Sequence, residues 1–198
     1  MTAEIGRDAT AQRSGRQFDH LVLRDAQLDG NDAKDIATLG RNVFYQTFAH
    51  QTEEKAMQTY LDQAYTEAAI RADLSNAQRR CLVAEEDDEG AKRIVGFAFL
   101  AFDTSSDEPC VADATAPAEL QRIYIDASYH GTGVAAKLME TAMETARQMA
   151  CTTLWLGVFP ENARAQRFYS KFGFERVGTH TFKLGDQCDI DDILRREL

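Results

Sequence analysis

Two hydrophobic rhythms alternate along the chain. Ile36, Leu39, Val43, Phe44 and Phe48 recur at helical spacing, which predicts a helix capped by Asn31 or Asp32 and running to about Ala49. A second helix is expected from Thr52 or Glu53 to about Asp73, bent near Ala64, with Tyr60, Leu61, Tyr65 and Ala69 on its buried side. Phe18–Leu23 (FDHLVL) reads as a short strand before them. Beyond them the rhythm shortens. RCLVAEE (80–86) and KRIVGFAFLAF (92–102) read as strands joined into a hairpin by the polar turn Asp87, Asp88, Glu89 and Gly90. Thr104–Pro117 is acidic and Ala-rich, carries two of the three prolines, and reads as a loop expected to be mobile. ELQRIYI (119–125) is a strand, DASYHGTG (126–133) a glycine-bearing turn, and Val134–Ala150 an amphipathic helix. That helix places Ala135, Leu138, Met139, Ala142, Ala146 and Met149 on one face. Thr153–Val158 reads as a strand, Asn162–Phe172 as a short helix, and Phe174–Lys183 and Gln187–Arg195 as final strands.

The order β-α-α-β-β-β-α-β-α-β-β predicts an α/β protein, a mixed sheet with helices on its faces. At 198 residues, one domain spanning 18–198 is expected, preceded by a flexible tail, 1–17. That tail lacks the apolar run of a secretory signal, and no stretch is apolar enough to span a membrane. Cys81, Cys110, Cys151 and Cys188 show no metal-ligand spacing, so no metal is expected. They read as reduced thiols of a cytoplasmic protein. Whether it is a monomer or a homodimer is left open. Charge narrows the partners. Lys+Arg is 22 and Asp+Glu is 32, a net charge of -10. Such acidity excludes a duplex nucleic-acid binder and disfavours an anionic membrane surface, while a cationic small molecule suits it.

The sharpest local feature is His130-Gly131-Thr132-Gly133-Val134-Ala135-Ala136, which follows a strand and opens a helix. Two glycines permit a tight turn, and the first-turn N–H groups of 131–136 then face outward beside the positive end of the helix dipole. Such an arrangement holds a phosphate or pyrophosphate. The run also fits the dinucleotide fingerprint G-x-G-x-x-A. A Rossmann turn, however, sits tight against its strand and opens a nucleotide fold, whereas this strand ends near Ile125 and only residues 132–198 follow the first glycine.

The next block decides the matter. Asn162-Ala163-Arg164-Ala165-Gln166-Arg167-Phe168-Tyr169 is followed by Gly173-Phe174. Together the two blocks resemble the GNAT superfamily of N-acetyltransferases, with its Q/R-x-x-G-x-G/A turn and later N-x-x-A-x-x-F-Y-x-x-x-G-F. The resemblance runs from about Phe18 to the C-terminus. Within the superfamily, ELQRIYI, TLWLGVFPENARAQRFY, GFERVGTHTFKLGDQCDIDDIL and the N-terminal FYQTF and YLDQAY are similar to the PaiA-type polyamine acetyltransferase branch. One departure is His130, where the superfamily carries Gln or Arg. A His is a weaker, pH-dependent donor to phosphate.

The resemblance implies a mostly antiparallel twisted sheet whose strands splay at the acetyl-CoA site, and direct attack by an amine in a ternary complex. It implies that backbone groups of Ile123, Tyr124 and Ile125 hold the pantetheine arm, that one of them serves the oxyanion, and that the turn grips the pyrophosphate. Asn162 would contact the cofactor arm, and Tyr169 would protonate the leaving thiolate. Glu119, at the start of the strand, matches a catalytic Glu of the histone-acetylating branch, with Glu161 the weaker candidate base. Tyr45, Phe48 and Tyr60 would line the acceptor pocket, or pack in the core. The implied acceptor is a small cationic amine such as a polyamine. The alternatives are a Lys or N-terminal amine of a protein, or an acyl-CoA-binding domain without turnover. Asp103, Asp107, Glu108 and Asp113 are candidates to draw in such a cation. Trp155 reads as packing, and His20, His50 and His180 receive no role.

Overall fold

The computed structural model describes residues 21–198 apart from Glu89, Gly185 and Asp186, so the expected tail and the first residues of the expected N-terminal strand lie outside the described residues. The chain runs β1 (Leu21–Asp25), α1 (Asp32–Phe48), α2 (Glu54–Ala64), α3 (Glu67–Ser75), β2 (Arg79–Asp88), β3 (Ala91–Ala101), β4 (Pro117–Ile125) and α4 (Val134–Gln148). It continues with β5 (Thr153–Val158), α5 (Ala163–Lys171), β6 (Glu175–Leu184) and β7 (Gln187–Glu197). The expected long second helix is two helices. Tyr65 leaves helical geometry at φ -125°, and the Thr66 hydroxyl accepts from the Ala69 N–H at 3.1 Å as the N-cap of α3. The apolar spacing runs through the break, which is why periodicity alone shows only a bend.

The described strands join one sheet in the order β1-β2-β3-β4-β5-β7-β6. Every pairing is antiparallel except β4 with β5. Alternation sorts the β2 and β3 side chains to the two faces. Leu82, Ala84, Val95, Ala98 and Leu100 pack with Leu138, Met139, Ala142 and Ala146 of α4. Cys81, Val83, Phe97 and Phe99 pack on Ile36, Phe44, Met57, Leu61 and Ile70 of the first three helices. Met149, expected on the buried face of α4, is exposed because the helix ends at Gln148. Among the described residues no helix is long and apolar enough to cross a membrane.

Two features of β4 position the site. Its ladder with β3 slips between Phe99 and Leu100, which face Arg122 and Leu120, so Gln121 is an extra residue in a bulge. Its parallel ladder with β5 covers only Pro117–Glu119 against Thr153–Trp155. Beyond that point the strands diverge. The 104–116 connection is not a loose loop. It forms short 3-10 turns at Ser105–Asp107 and Pro109–Val111, and Val111 is buried against Trp155 and Ile193.

β1 is held to the sheet by charge as well as by its ladder. Arg24 bonds Asp32 at 2.6 and 3.0 Å and also bonds Glu85, whose other oxygen meets Lys92 at 3.1 Å. Burial pushes both carboxyls up, but Arg24, helped by the Gln27 N–H at Asp32 and by Lys92 at Glu85, outweighs it and holds both below the usual carboxylate range. This contribution is complete above the unfolded carboxyl range and fades as pH falls below about 4. Arg24→Ala leaves both carboxylates poorly solvated. It should cost about 2 kcal/mol and lower Tm by roughly 4–8 °C at pH 7, with a smaller loss at acid pH in thermal melts.

Candidate functional site

Divergence of β4 from β5 opens a cleft of about 690 Å³. That size suits a small-molecule or cofactor site. One wall is Leu120–Ile125 of β4, the other Gly157, Val158 and Phe159 at the end of β5, and α1 contributes Phe44 and Phe48. On its other edge, β4 is paired with β3 from Gly96↔Ile125 to Phe99↔Arg122. The β5-facing edge of Ile123–Ile125 therefore presents main-chain groups that no described strand takes up, and an extended ligand can pair with them.

One end of the cleft is built for an anion. Gly131 and Gly133 have φ of +76° and +93°, the left-handed region that favours glycine. No heavy atom lies within 4 Å of where a Cβ would stand at either, so backbone conformation and not crowding requires them. The first backbone bond of α4 runs from Lys137 N to Gly133 O, and no side chain caps the helix. The N–H groups of Val134, Ala135 and Ala136 are thus left to a ligand. Thr132 differs from expectation. Its N–H and its hydroxyl both donate to Tyr129 O, so it braces the turn instead of offering a donor. His130 Nδ1 lies 2.6 Å from an Arg164 guanidinium nitrogen. An Arg nitrogen only donates, so Nδ1 accepts and the ring proton sits on Nε2. Burial and then the Arg164 charge push this His below its usual range. The permanent cation at this end is therefore Arg164, which the sequence reading passed over although it lies inside the Asn162 motif.

The other end is aromatic and acidic. Tyr65 donates its hydroxyl to that of Tyr124 at 2.9 Å, and the Tyr60 ring lies against Phe44 and Tyr65. Arg122, missed by the sequence reading, lies over the Tyr65 and Phe99 rings and pairs with Asp73 at 3.2 Å. Glu119 sits half-buried where the strands part, and burial raises its carboxyl despite the opposing pull of Thr104, Arg79, Arg122 and His180. Tyr169, on α5, is buried between Phe168 and Phe174, and burial pushes its phenol up. Glu108, Asp191 and His180 complete this end. Trp155 packs as expected, and its Nε1–H is buried without a partner among the described residues.

Of the expected site residues, Glu119, Ile123, Tyr124, Ile125, His130, Gly131, Gly133, Ala135, Asn162, Tyr169, Phe48 and Tyr60 line this one cleft. Asn162 also caps α5, accepting from Ala165 N at 3.1 Å. Val134 is buried in the core, so only its main chain can serve, and Ala136 likewise lies off the cleft wall. Tyr45 corrects the acceptor-pocket expectation. The wall takes Phe44, Thr47 and Phe48 from α1, and Tyr45, about 100° further round from Phe44, is 41% exposed. Glu161 is exposed outside the cleft, which removes the weaker candidate base. Among the acidic candidates, Asp103 pairs with Arg79 and Asp113 with Arg195, Asp107 is exposed, and Glu108 alone enters the cleft.

Residues 43–174 match the acetyltransferase (GNAT) family. An uncharacterized N-acetyltransferase of Mycobacterium tuberculosis is 34% identical over 167 residues, 84% of this chain and 98% of that protein. A spermine/spermidine N(1)-acetyltransferase of Bacillus subtilis is 29% identical over 75 residues, 37% of this chain and 49% of that protein. The structure of the PaiA N-acetyltransferase of Thermoplasma acidophilum in complex with coenzyme A superimposes with a TM-score of 0.70 at 19% identity. That match covers 90% of this chain and 99% of that one, and shows a common fold.

Proposed function

The chain belongs to the GNAT family of acetyltransferases and is an acetyl-CoA-dependent N-acetyltransferase; from this premise we propose that its acceptor is a small cationic amine, a polyamine being the model. The observation that carries the reading is the polarity of the cleft. Its permanent cation at the glycine turn is Arg164, while Glu108, Glu119 and Asp191 line the acceptor end, where the one arginine on the described wall, Arg122, is already paired with Asp73. A pyrophosphate and a polycation would thus be drawn to opposite ends. The match to the spermine/spermidine acetyltransferase of Bacillus subtilis supports the same substrate class. Free thiols at Cys81, Cys110 and Cys151 support a cytoplasmic setting.

The residues present fit acetyl-CoA. The uncapped start of α4, the two left-handed glycines and Arg164 form a cradle for its pyrophosphate, with His130 held at its edge between Arg164 and the Ile125 main chain. The open edge of Ile123–Ile125 and Asn162 would hold its arm. Bound there, acetyl-CoA supplies an acetyl thioester. Glu119 takes a proton from the acceptor ammonium, directly or through one water. A main-chain N–H near Ile123 or Ile125 steadies the developing oxyanion, and the Tyr169 hydroxyl protonates the departing sulfur.

Thiol release from acetyl-CoA across an amine panel tests the acceptor. Release with spermidine that weakens steeply with salt supports the reading. Release only with peptides would move the protein to Lys or N-terminal amines. Arg164→Ala tests the cradle. It should raise the acetyl-CoA Kd about 5- to 30-fold, a loss of about 1–2 kcal/mol, and leave kcat at saturation nearly unchanged. An unchanged Kd by calorimetry would remove Arg164 from the grip.

A further inference from the structure

Glu108 and His180 form a pair that the reaction as described does not use. Glu108 enters from the 104–116 connection with its side chain only 4% exposed. Its Oε1 accepts from Cys110 N–H at 3.0 Å, and its Oε2 lies 2.8 Å from His180 Nδ1. The His180 side chain, on β6, is 46% exposed. Both residues line the cleft that holds Glu119 and Tyr169.

The geometry sets one tautomer. A carboxylate at Nδ1 takes the ring proton there, so Nε2 of the neutral ring is the acceptor nitrogen. The ring thus reaches from a buried carboxylate toward water, and among the described residues no hydrogen-bond partner stands at its basic nitrogen. Glu119 has the opposite problem. It is half-buried at the bottom of the strand wedge, so a proton taken there has to leave before the next turnover. Around His180 stand Glu108 and Cys110 from the connection, Asp191 opposite it on β7, and Glu119 of β4, near enough for the ring's charge to act on its carboxyl. Arg176 and Asp192 are paired with each other one strand position away or further.

We propose that His180, held by Glu108, carries the acceptor's proton from Glu119 to solvent. The proposal rests on amine acetylation as read above. The ammonium N–H bond breaks and its proton goes to the Glu119 carboxylate. It then passes to His180 Nε2, directly or through one water. The Nε2–H bond breaks in turn as the proton is given to bulk water, and the ring returns to its neutral form. The second nitrogen proton, lost once the C–N bond has formed, ends on the sulfur by way of Tyr169. Each turnover yields one amide, one thiol and one free proton, with no change of oxidation state. His180 acts through Glu119, and Glu108 is a positioning residue for His180.

The test measures thiol release at saturating acetyl-CoA, with the amine that the wild-type protein uses, in weak buffer and with added imidazole. His180→Ala should lower kcat about tenfold with the acetyl-CoA KM unchanged. Imidazole should restore most of that rate saturably, while wild-type turnover stays insensitive to it. Glu108→Gln should lower kcat several-fold, and the double variant should be no slower than His180→Ala, because Glu108 acts through the ring. Removal of His180 takes from the buried Glu108 carboxylate one of its partners and leaves it the Cys110 N–H, so a thermal melt of each variant accompanies the rates, and imidazole rescue, which a merely less stable fold would not show, decides the question even where Glu108→Gln folds poorly. Full turnover in His180→Ala, a loss that imidazole does not restore, or additive single losses would overturn the relay. Wild-type silence toward every amine would overturn the acceptor reading and the relay with it. An active wild type with an unaffected His180→Ala overturns the relay alone.

Discussion

Tyr169→Phe should lower kcat by on the order of 10- to 1000-fold while the acetyl-CoA Kd stays within about twofold. The change removes one oxygen and keeps the ring. Packing against Phe168 and Phe174 therefore survives, and a lost fold would not be the cause. Burial holds the phenol above its usual range, so it stays protonated throughout an ordinary assay and can give its proton to a leaving thiolate. The loss should accordingly be flat between pH 6 and pH 9. Steady-state thiol release, calorimetric Kd and a thermal melt of the same preparation separate the outcomes. A change in kcat under about twofold would leave Tyr169 as a core residue that happens to line the cleft.

Glu119→Gln should cost about 10- to 100-fold in kcat near neutral pH, where an amine with a pKa of about 10 is almost wholly ammonium. The loss should fade as pH approaches that value, because the free amine needs no base. The acid side carries the sign of the Glu119 shift. Burial raises this carboxyl, so its ionised, basic form is lost at a higher pH than an ordinary Glu would require. Wild-type kcat/KM should therefore begin to fall above the usual carboxyl range as pH drops, and the Gln variant should lack that limb. Unaltered turnover at every pH would exclude Glu119 as the base.

The local devices of the site could be read from residues close together in the chain. Two glycines in H-G-T-G-V-A-A require the left-handed turn, and the helix that follows presents its first N–H groups whatever else is packed around it. Asn162 caps one short helix and Tyr169 lies on its buried face, both set by local spacing. The hydrophobic rhythm also gave the order of strands and α-helices, but not the cap at Thr66, which falls inside an unbroken apolar pattern, nor the short turns of the 104–116 connection.

Contacts between distant segments had no such signal. Nothing near His130 in the sequence announces Arg164, and nothing near His180 announces Glu108, yet each pair meets within hydrogen-bond distance. Tyr65 and Tyr124 meet in the same way across the first helices and β4. The Gln121 bulge belongs to the register of β4 against β3, and the parting of the strands after Glu119 depends on β5 lying beside β4 in the folded sheet. Tyr45 shows the converse. Its residue type suited an acceptor pocket, but the rotation of α1 turned it to solvent. Periodicity and turn chemistry report how an element presents its own faces. Which side chains share a cleft depends on sheet order and helix rotation, and those are set by the packing of the whole chain.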